Sequence, residues 1–76
     1  MKRYFFDFVG NGRSELDYTG RTLTTPERAY DVAELMACDL VVARQDETIG
    51  WAVNVSTVEG SKLFSIPVQA SYLAAT

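Results

Sequence analysis

The sequence has no histidine and a single cysteine among its 76 residues. The missing histidine removes the commonest general base near neutral pH, the usual zinc ligand and every nucleophile activated by an imidazole. One cysteine allows no disulfide within the chain. These absences exclude most routes to catalysis, so we expect a protein that is not an enzyme and uses no cofactor.

The sequence also lacks an excess of basic residues and a long hydrophobic run. Its formal net charge is -3, whereas proteins bind nucleic acids and anionic membranes mainly through lysine and arginine. No segment approaches the roughly 20 apolar residues of a transmembrane helix, and Asp7 interrupts the N-terminal aromatic segment where a signal peptide needs an apolar run. We therefore expect a cytoplasmic protein that contacts neither nucleic acid nor membrane.

What is present is the composition of a small globular domain, with 47% hydrophobic and 22% charged residues. A chain of this length is below the usual domain size, so we expect one domain over residues 1–76 with one core. Small domains without disulfides or metals often gain stability from association. Self-association as a homodimer is therefore expected, and another protein partner is the alternative.

The first half of the chain predicts two β-strands. Residues 3–9 are rich in aromatics and end at a Gly-Asn-Gly turn, which predicts the first strand. A second, weaker strand is predicted over residues 14–23, with Gly20 at a bend. The side chains predicted to face the core are Tyr4, Phe6, Phe8, Leu16, Tyr18 and Leu23.

The second half predicts a β-hairpin. Residues 51–57 alternate large apolar with small or polar side chains, and residues 62–68 follow after Glu59-Gly60, a turn sequence. Pro67 cannot donate to a sheet ladder, so the last strand belongs at a sheet edge. The side chains predicted to face inward are Trp51, Val53, Val55, Phe64, Ile66 and Val68. Residues 69–76 receive no assignment.

A helix is predicted between these halves, beginning at Thr24-Thr25-Pro26-Glu27 and ending near Asp46. Either threonine suits the N-cap: Thr24 has capping-box spacing to Glu27, and Thr25 places Pro26 at the favoured first helical position. The predicted core stripe of the helix is Ala29, Val32, Ala33, Met36, Leu40 and Ala43.

The remaining helix surface divides into a polar side and two apolar shoulders. The polar side is predicted to comprise Glu27, Asp31, Glu34, Cys38 and Gln45. One shoulder comprises Tyr30, Ala37 and Val41, and the other comprises Leu35 and Val42. Either shoulder is a candidate contact with a second subunit.

The predicted fold is α+β with element order β-β-α-β-β, one long helix packed on a four-stranded antiparallel sheet of order 2-1-3-4. The face turned away from the helix is more apolar than a solvated face, so a dimer contact or the C-terminal tail is expected to cover it. The predicted interface residues are Phe5, Val9, Tyr30, Val41 and Leu63.

A family resemblance rests on the opening Arg3-Tyr4-Phe5-Phe6, the Asp17-x-x-Gly20 step, the spaced Ala29 and Ala33, and Trp51-x-Val53-x-Val55. The chain resembles short uncharacterised proteins, common in soil and plant-associated bacteria, that begin with R-Y-F-F and are classed as a domain of unknown function. The resemblance extends over nearly the whole chain and implies no activity or catalytic residue. Many of those proteins carry histidine where this chain has Asp7, so no histidine site is implied here. A looser likeness in topology to small antitoxin domains implies an antitoxin-like regulator as a weaker alternative.

Three groups of residues are candidate sites. Glu27, Asp31 and Glu34 at helical spacing are weak candidate metal ligands, although Ca²⁺ needs about six oxygens and no liganding loop is visible. Cys38 is a candidate thiol, but its acidic neighbours disfavour the thiolate. Asp7 and Asp17 approach one another if the register of the first hairpin allows it.

The leading functional hypothesis is a small non-enzymatic protein-interaction or regulatory module that forms a homodimer. The alternative is a protein that binds a small ligand or a divalent metal, using the cleft between helix and sheet or the acidic side of the helix.

Overall fold

The computed structural model describes residues 1–44 and 47–69. Its elements are β1 (Lys2–Gly10), β2 (Arg13–Glu15), β3 (Arg21–Leu23), α1 (Pro26–Arg44), β4 (Ala52–Thr57) and β5 (Lys62–Pro67). One helix on an antiparallel sheet confirms the predicted α+β fold, but the sheet has five strands because β2 and β3 replace the single second strand. The predicted helix end at Asp46, the position of Gln45 and the tail 70–76 lie outside the described residues.

The sheet has the order β2-β1-β4-β5, and β3 also pairs with β1. All of its pairings are antiparallel. Strand β3 pairs with the N-terminal half of β1 and β2 pairs with the C-terminal half. Because these two strands share one side of β1, the predicted order is confirmed, and Pro67 lies on the edge strand as expected.

The core lies between α1 and the sheet, and the inward faces predicted for β1, β4 and β5 are confirmed. Tyr4, Phe6, Val53, Val55 and Ile66 are buried there. The prediction was wrong for Leu16 and Tyr18, which are 52% and 86% exposed. Both residues belong to the connection between β2 and β3, which leaves the sheet, so strand alternation does not apply to them.

The buried stripe of α1 differs in part from the predicted one. Its buried residues are Ala29, Ala33, Ala37, Leu40 and Val41. Val32 and Met36 are partly buried against the core, whereas Ala43 is exposed and was wrongly placed in the stripe. Val41 is 0% exposed, so its prediction as an interface residue was also wrong. The buried side is rotated toward the shoulder that carries Ala37 and Val41.

Side-chain oxygens of two threonines bind backbone groups near the ends of α1. The backbone N–H of Arg28 donates to Thr25 Oγ1 at 3.2 Å, so Thr25 is the N-cap and Pro26 is the first helical residue. After the helix, the fully buried Thr48 donates from Oγ1 to the carbonyl of Leu40 at 3.2 Å. This second contact fixes the segment that follows the helix to Leu40 of α1 and was not predicted.

Gly10 lies directly against the ring of Trp51. A Cβ atom at position 10 would be 2.4 Å from Trp51 Cγ and 2.8 Å from Trp51 Cα, and these distances are too short for any side chain. The glycine at the end of β1 therefore allows Trp51 to pack at the start of β4, where the indole is buried in the core.

Candidate interaction surface

The outer sheet face is the side of the sheet opposite α1. Strand register arranges its side chains in three cross-strand rows. The rows are Val9, Ala52 and Pro67; then Asp7, Asn54 and Ser65; then Phe5 and Ser56, which pairs with Lys62 of β5 across a register shift. No described element packs on this face, and the β1 and β4 residues in the rows are half-buried.

The middle row is polar and partly hydrogen-bonded. Ser65 donates from Oγ to Asn54 Oδ1 at 2.8 Å, and the backbone N–H of Asp17 donates to Asp7 Oδ1 at 2.8 Å. Among the described residues, the second carboxylate oxygen of Asp7 and the NH₂ group of Asn54 have no hydrogen-bond partner. The outer sheet face therefore presents an acceptor on β1 beside a donor on β4.

The two outer rows are mainly apolar, and they differ in size between the central strands. Strand β1 contributes the large side chains of Phe5 and Val9, whereas β4 contributes the small side chains of Ser56 and Ala52. The face is thus raised along β1 and lower along β4. Such relief favours packing against a surface with the opposite profile.

The connection between β2 and β3 is held by the carboxylate of Asp17. Its Oδ1 accepts hydrogen bonds from the backbone N–H groups of Thr19 at 3.0 Å and Gly20 at 2.9 Å. Its Oδ2 accepts from the N–H of Phe6 at 3.1 Å. Because neither β2 nor β3 pairs with residues 5–7 of β1, the carboxylate supplies the acceptor that a continuous strand would have supplied.

These hydrogen bonds also determine the ionisation of Asp17. Burial raises its pKa, but the hydrogen bonds from Gly20, Phe6 and Thr19 and the positive charge of Arg21 lower it by more, so the net pKa lies below the ordinary value of 3.8. Asp7 and Asp17 do approach one another, as the sequence suggested, but through a carboxylate and a backbone amide. The pair therefore connects the β2–β3 connection to β1, and both carboxylate oxygens of Asp17 are occupied by backbone hydrogen bonds.

Gly20 is required for this connection for two reasons. Its backbone has φ +75°, and a Cβ there would lie 2.9 Å from the carbonyl oxygen of Tyr4. A residue with a side chain is strained in this conformation and also collides with β1. The Asp17-x-x-Gly20 step thus has a local physical reason: the aspartate caps the turn and the glycine lets it approach the strand.

The predicted metal ligands do not form a site. Glu27, Asp31 and Glu34 are all exposed along α1, and no group of three acidic, histidine or cysteine side chains in the described part of the chain can hold a metal ion. Cys38 is a half-buried free thiol.

The structure separates the predicted interface residues. Phe5 and Val9 lie on the outer sheet face, and Leu63 is an exposed residue of β5. Tyr30 packs edge-on against Phe64, with ring centroids 5.2 Å apart, so it contacts the chain's own sheet. On the other shoulder of the helix, Leu35 and Val42 are 66% and 51% exposed.

A second feature is a cleft of about 400 Å³ between the β2–β3 connection, the sheet and the helix. Phe6, Phe8, Leu16 and Met36 form its apolar lining, and Arg21 is among its polar residues.

The Gly-Asn-Gly-Arg segment is the turn between β1 and β2, where Asn11 and Gly12 have φ of 53° and 74°. These positive angles suit a two-residue hairpin turn.

The architecture defines a two-layer α+β domain in which one sheet face is left uncovered by the elements of residues 1–44 and 47–69. The family model of a domain of unknown function, DUF6894, matches residues 3–69, so the chain belongs to this family. Searches of curated proteins and of solved structures found no match. Among the described residues, no helix has the length and apolar character needed to cross a membrane.

Proposed function

We propose that this protein is a non-enzymatic interaction module that binds protein through its outer sheet face. The proposal rests on one observation: α1 packs on one face of the sheet, and no described element packs on the other. Phe5, Val9 and Ala52 are only half-buried there, so a protein surface that covered them would remove further apolar area from water.

Association through the β5 edge of the sheet is less favourable than association through this face. The edge strand β5 contains Pro67, which has no N–H, and the exposed Lys62. The β4–β5 pairing also shifts register between Val55 and Ser56. Prolines, lysines and bulges on edge strands oppose the addition of another strand.

A position-specific cross-linking experiment tests the proposal. A photo-reactive amino acid at Ser65, which is exposed on the outer sheet face, is expected to cross-link to protein in the native cytosol. The same group at Asp31, exposed on α1, is the matched control and is expected to give much less product. Equal products from both positions, or products from Asp31 alone, would contradict the proposal.

The cleft between helix and sheet supports a second candidate function, the binding of a small ligand. Its volume of about 400 Å³ lies within the range of ligand pockets, and Phe6, Phe8 and Met36 give it an apolar lining. Thermal-shift measurements against a metabolite panel and divalent cations test this candidate, and a flat response would remove it. The antitoxin-like alternative also requires protein binding, so the cross-linking experiment covers it.

A further inference from the structure

We propose that the partner of the outer sheet face is a second copy of the chain, packed face to face about a two-fold axis that places Asp7 of each copy opposite Asn54 of the other. This inference rests on the proposed function, because it names the partner of the same surface. Its axis runs parallel to the strands and between β1 and β4. Each β1 then lies over the β4 of the second copy.

The hydrogen-bonding groups of the middle row support this orientation. In a two-fold interface, a residue that meets a different residue of the second copy is met by that residue in return. The free carboxylate oxygen of Asp7 therefore meets the NH₂ group of Asn54 twice, once on each side of the axis. An axis perpendicular to the strands through this row would instead place Asp7 against Asp7, which is a repulsive pair.

The sizes of the side chains support the same orientation. With β1 over β4, Val9 lies over Ala52 and Phe5 lies over Ser56, so a large side chain meets a small one in both outer rows. With β1 over β1, the large side chains would meet each other and leave space over β4. Aligned sheets in β-sandwiches pack about 10 Å apart through such interdigitation.

The charge of the molecule argues against the exposed side of the helix as the contact. That side carries Glu27, Asp31 and Glu34, and each copy has a formal net charge of -3, so two helices brought together would repel. Across the three rows of the outer sheet face, Asp7 is the only acidic residue. Two copies that meet through this face therefore bring fewer acidic side chains together than two copies that meet through the helix.

The first test measures mass in solution by sedimentation equilibrium over a concentration series of the full chain. The wild type is expected to form a dimer, and Val9→Lys is expected to shift it to monomer by placing a charge in an apolar row. Val42→Lys is the matched control, because it makes the same change at an exposed helix position and is expected to leave the dimer intact. A monomeric wild type, or a dimer that Val9→Lys leaves unchanged, overturns the inference.

The second test exchanges the proposed pair. Asn54→Asp is expected to weaken dimerisation by at least about tenfold, because it places two carboxylates opposite each other in both halves of the interface. Adding Asp7→Asn to this variant exchanges donor and acceptor, so the double variant is expected to recover most of the lost affinity. Urea unfolding of dilute samples separates a change in the fold from a change in dimerisation. Failure of the double variant to recover affinity while it remains folded overturns the Asp7–Asn54 pairing.

Cross-linking from position 65 in a mixture of isotopically light and heavy copies distinguishes the possible occupants. Mixed light–heavy products that map to the outer sheet face of the other copy support the inference. Products within one copy that map to residues 70–76 make the tail the occupant and overturn it. Products with a different protein from a chain that remains monomeric also overturn it, but they leave the proposed function standing.

Discussion

Removal of the Asp17 carboxylate is expected to destabilise the fold far more than removal of an ordinary surface carboxylate. In Asp17→Ala, the backbone N–H groups of Phe6, Thr19 and Gly20 lose their acceptor. Thr19 is exposed, so its N–H regains a bond to water, whereas the N–H of the buried Phe6 lies between β2 and β3. A buried donor left unpaired costs about 1–3 kcal/mol, and the loosened turn adds to this, so we expect a loss of about 2–4 kcal/mol.

Asp17→Asn is a milder substitution at the same position. An asparagine keeps an oxygen for Thr19 and Gly20, both of which bind Oδ1, but it turns an NH₂ group toward the N–H of Phe6. One hydrogen bond is lost and the charge is removed, so we expect a cost of about 1–2 kcal/mol. Asp31→Ala, at an exposed carboxylate of α1, is the control and is expected to stay within about 0.5 kcal/mol of the wild type.

The assay is urea unfolding followed by Trp51 fluorescence at one fixed, dilute protein concentration, which keeps the contribution of any dimerisation small. The expected order of stability is wild type with Asp31→Ala, then Asp17→Asn, then Asp17→Ala. If Asp17→Ala unfolds at the same urea concentration as Asp31→Ala, the carboxylate does not hold the β2–β3 connection.

The pH dependence gives an independent check on Asp17. Its folded-state pKa is lowered, so its contribution is complete above the ordinary pKa of 3.8 and is lost as the pH falls through the lower, folded-state pKa. The Asp17→Asn variant lacks this titration. The stability difference between wild type and Asp17→Asn is therefore expected to shrink as the solution is acidified below 3.8, and a constant difference would contradict the assigned ionisation.

The remaining predictions concern the core and the helix cap, and circular dichroism follows their unfolding because one variant lacks the tryptophan. Gly10→Ala is expected to cost roughly 3 kcal/mol, since its Cβ collides with Trp51, and a wild-type melt would refute that contact. Trp51→Ala and Phe6→Ala are each expected to cost about 3–5 kcal/mol, and unchanged melting of both would refute the core assignment. Trp51→Phe is expected to cost less than Trp51→Ala, because it keeps a ring and removes an indole N–H that has no acceptor among the described residues. Thr25→Ala is expected to cost about 1 kcal/mol and Thr24→Ala much less; equal effects would mean that Thr25 is not the cap.

The elements with strong local signals could be predicted from the sequence. The cap and proline at Thr25-Pro26 located the start of α1, and the alternation after Trp51 located β4 and its inward face. The buried stripe of α1 was harder, because Ala37 and Ala43 have identical side chains and only the sheet decides which one is covered. Periodicity therefore identified the side of the helix that faces the core, but it assigned Ala43 to the buried stripe in place of Ala37.

The break between β2 and β3 could not be predicted in the same way. It depends on hydrogen bonds between Asp17 and Phe6 and between Asp17 and Asp7, which lie 11 and 10 residues apart in sequence. No periodic pattern reports a contact between a side chain and a distant backbone. The presence of aspartate and glycine three residues apart was visible in the sequence, but their pairing across β1 required the strand register.

The carboxylate of Asp17 also occupies a backbone donor of β1 that another chain could otherwise pair with. The N–H of Phe6 lies on the side of β1 where strand pairing is interrupted, so opening the Asp17 turn exposes the β1 backbone around Phe6. An exposed stretch of this kind is a template for pairing with another chain. We therefore expect protonation of Asp17 in acid to increase aggregation of the protein, because the N–H of Phe6 then loses its charged acceptor.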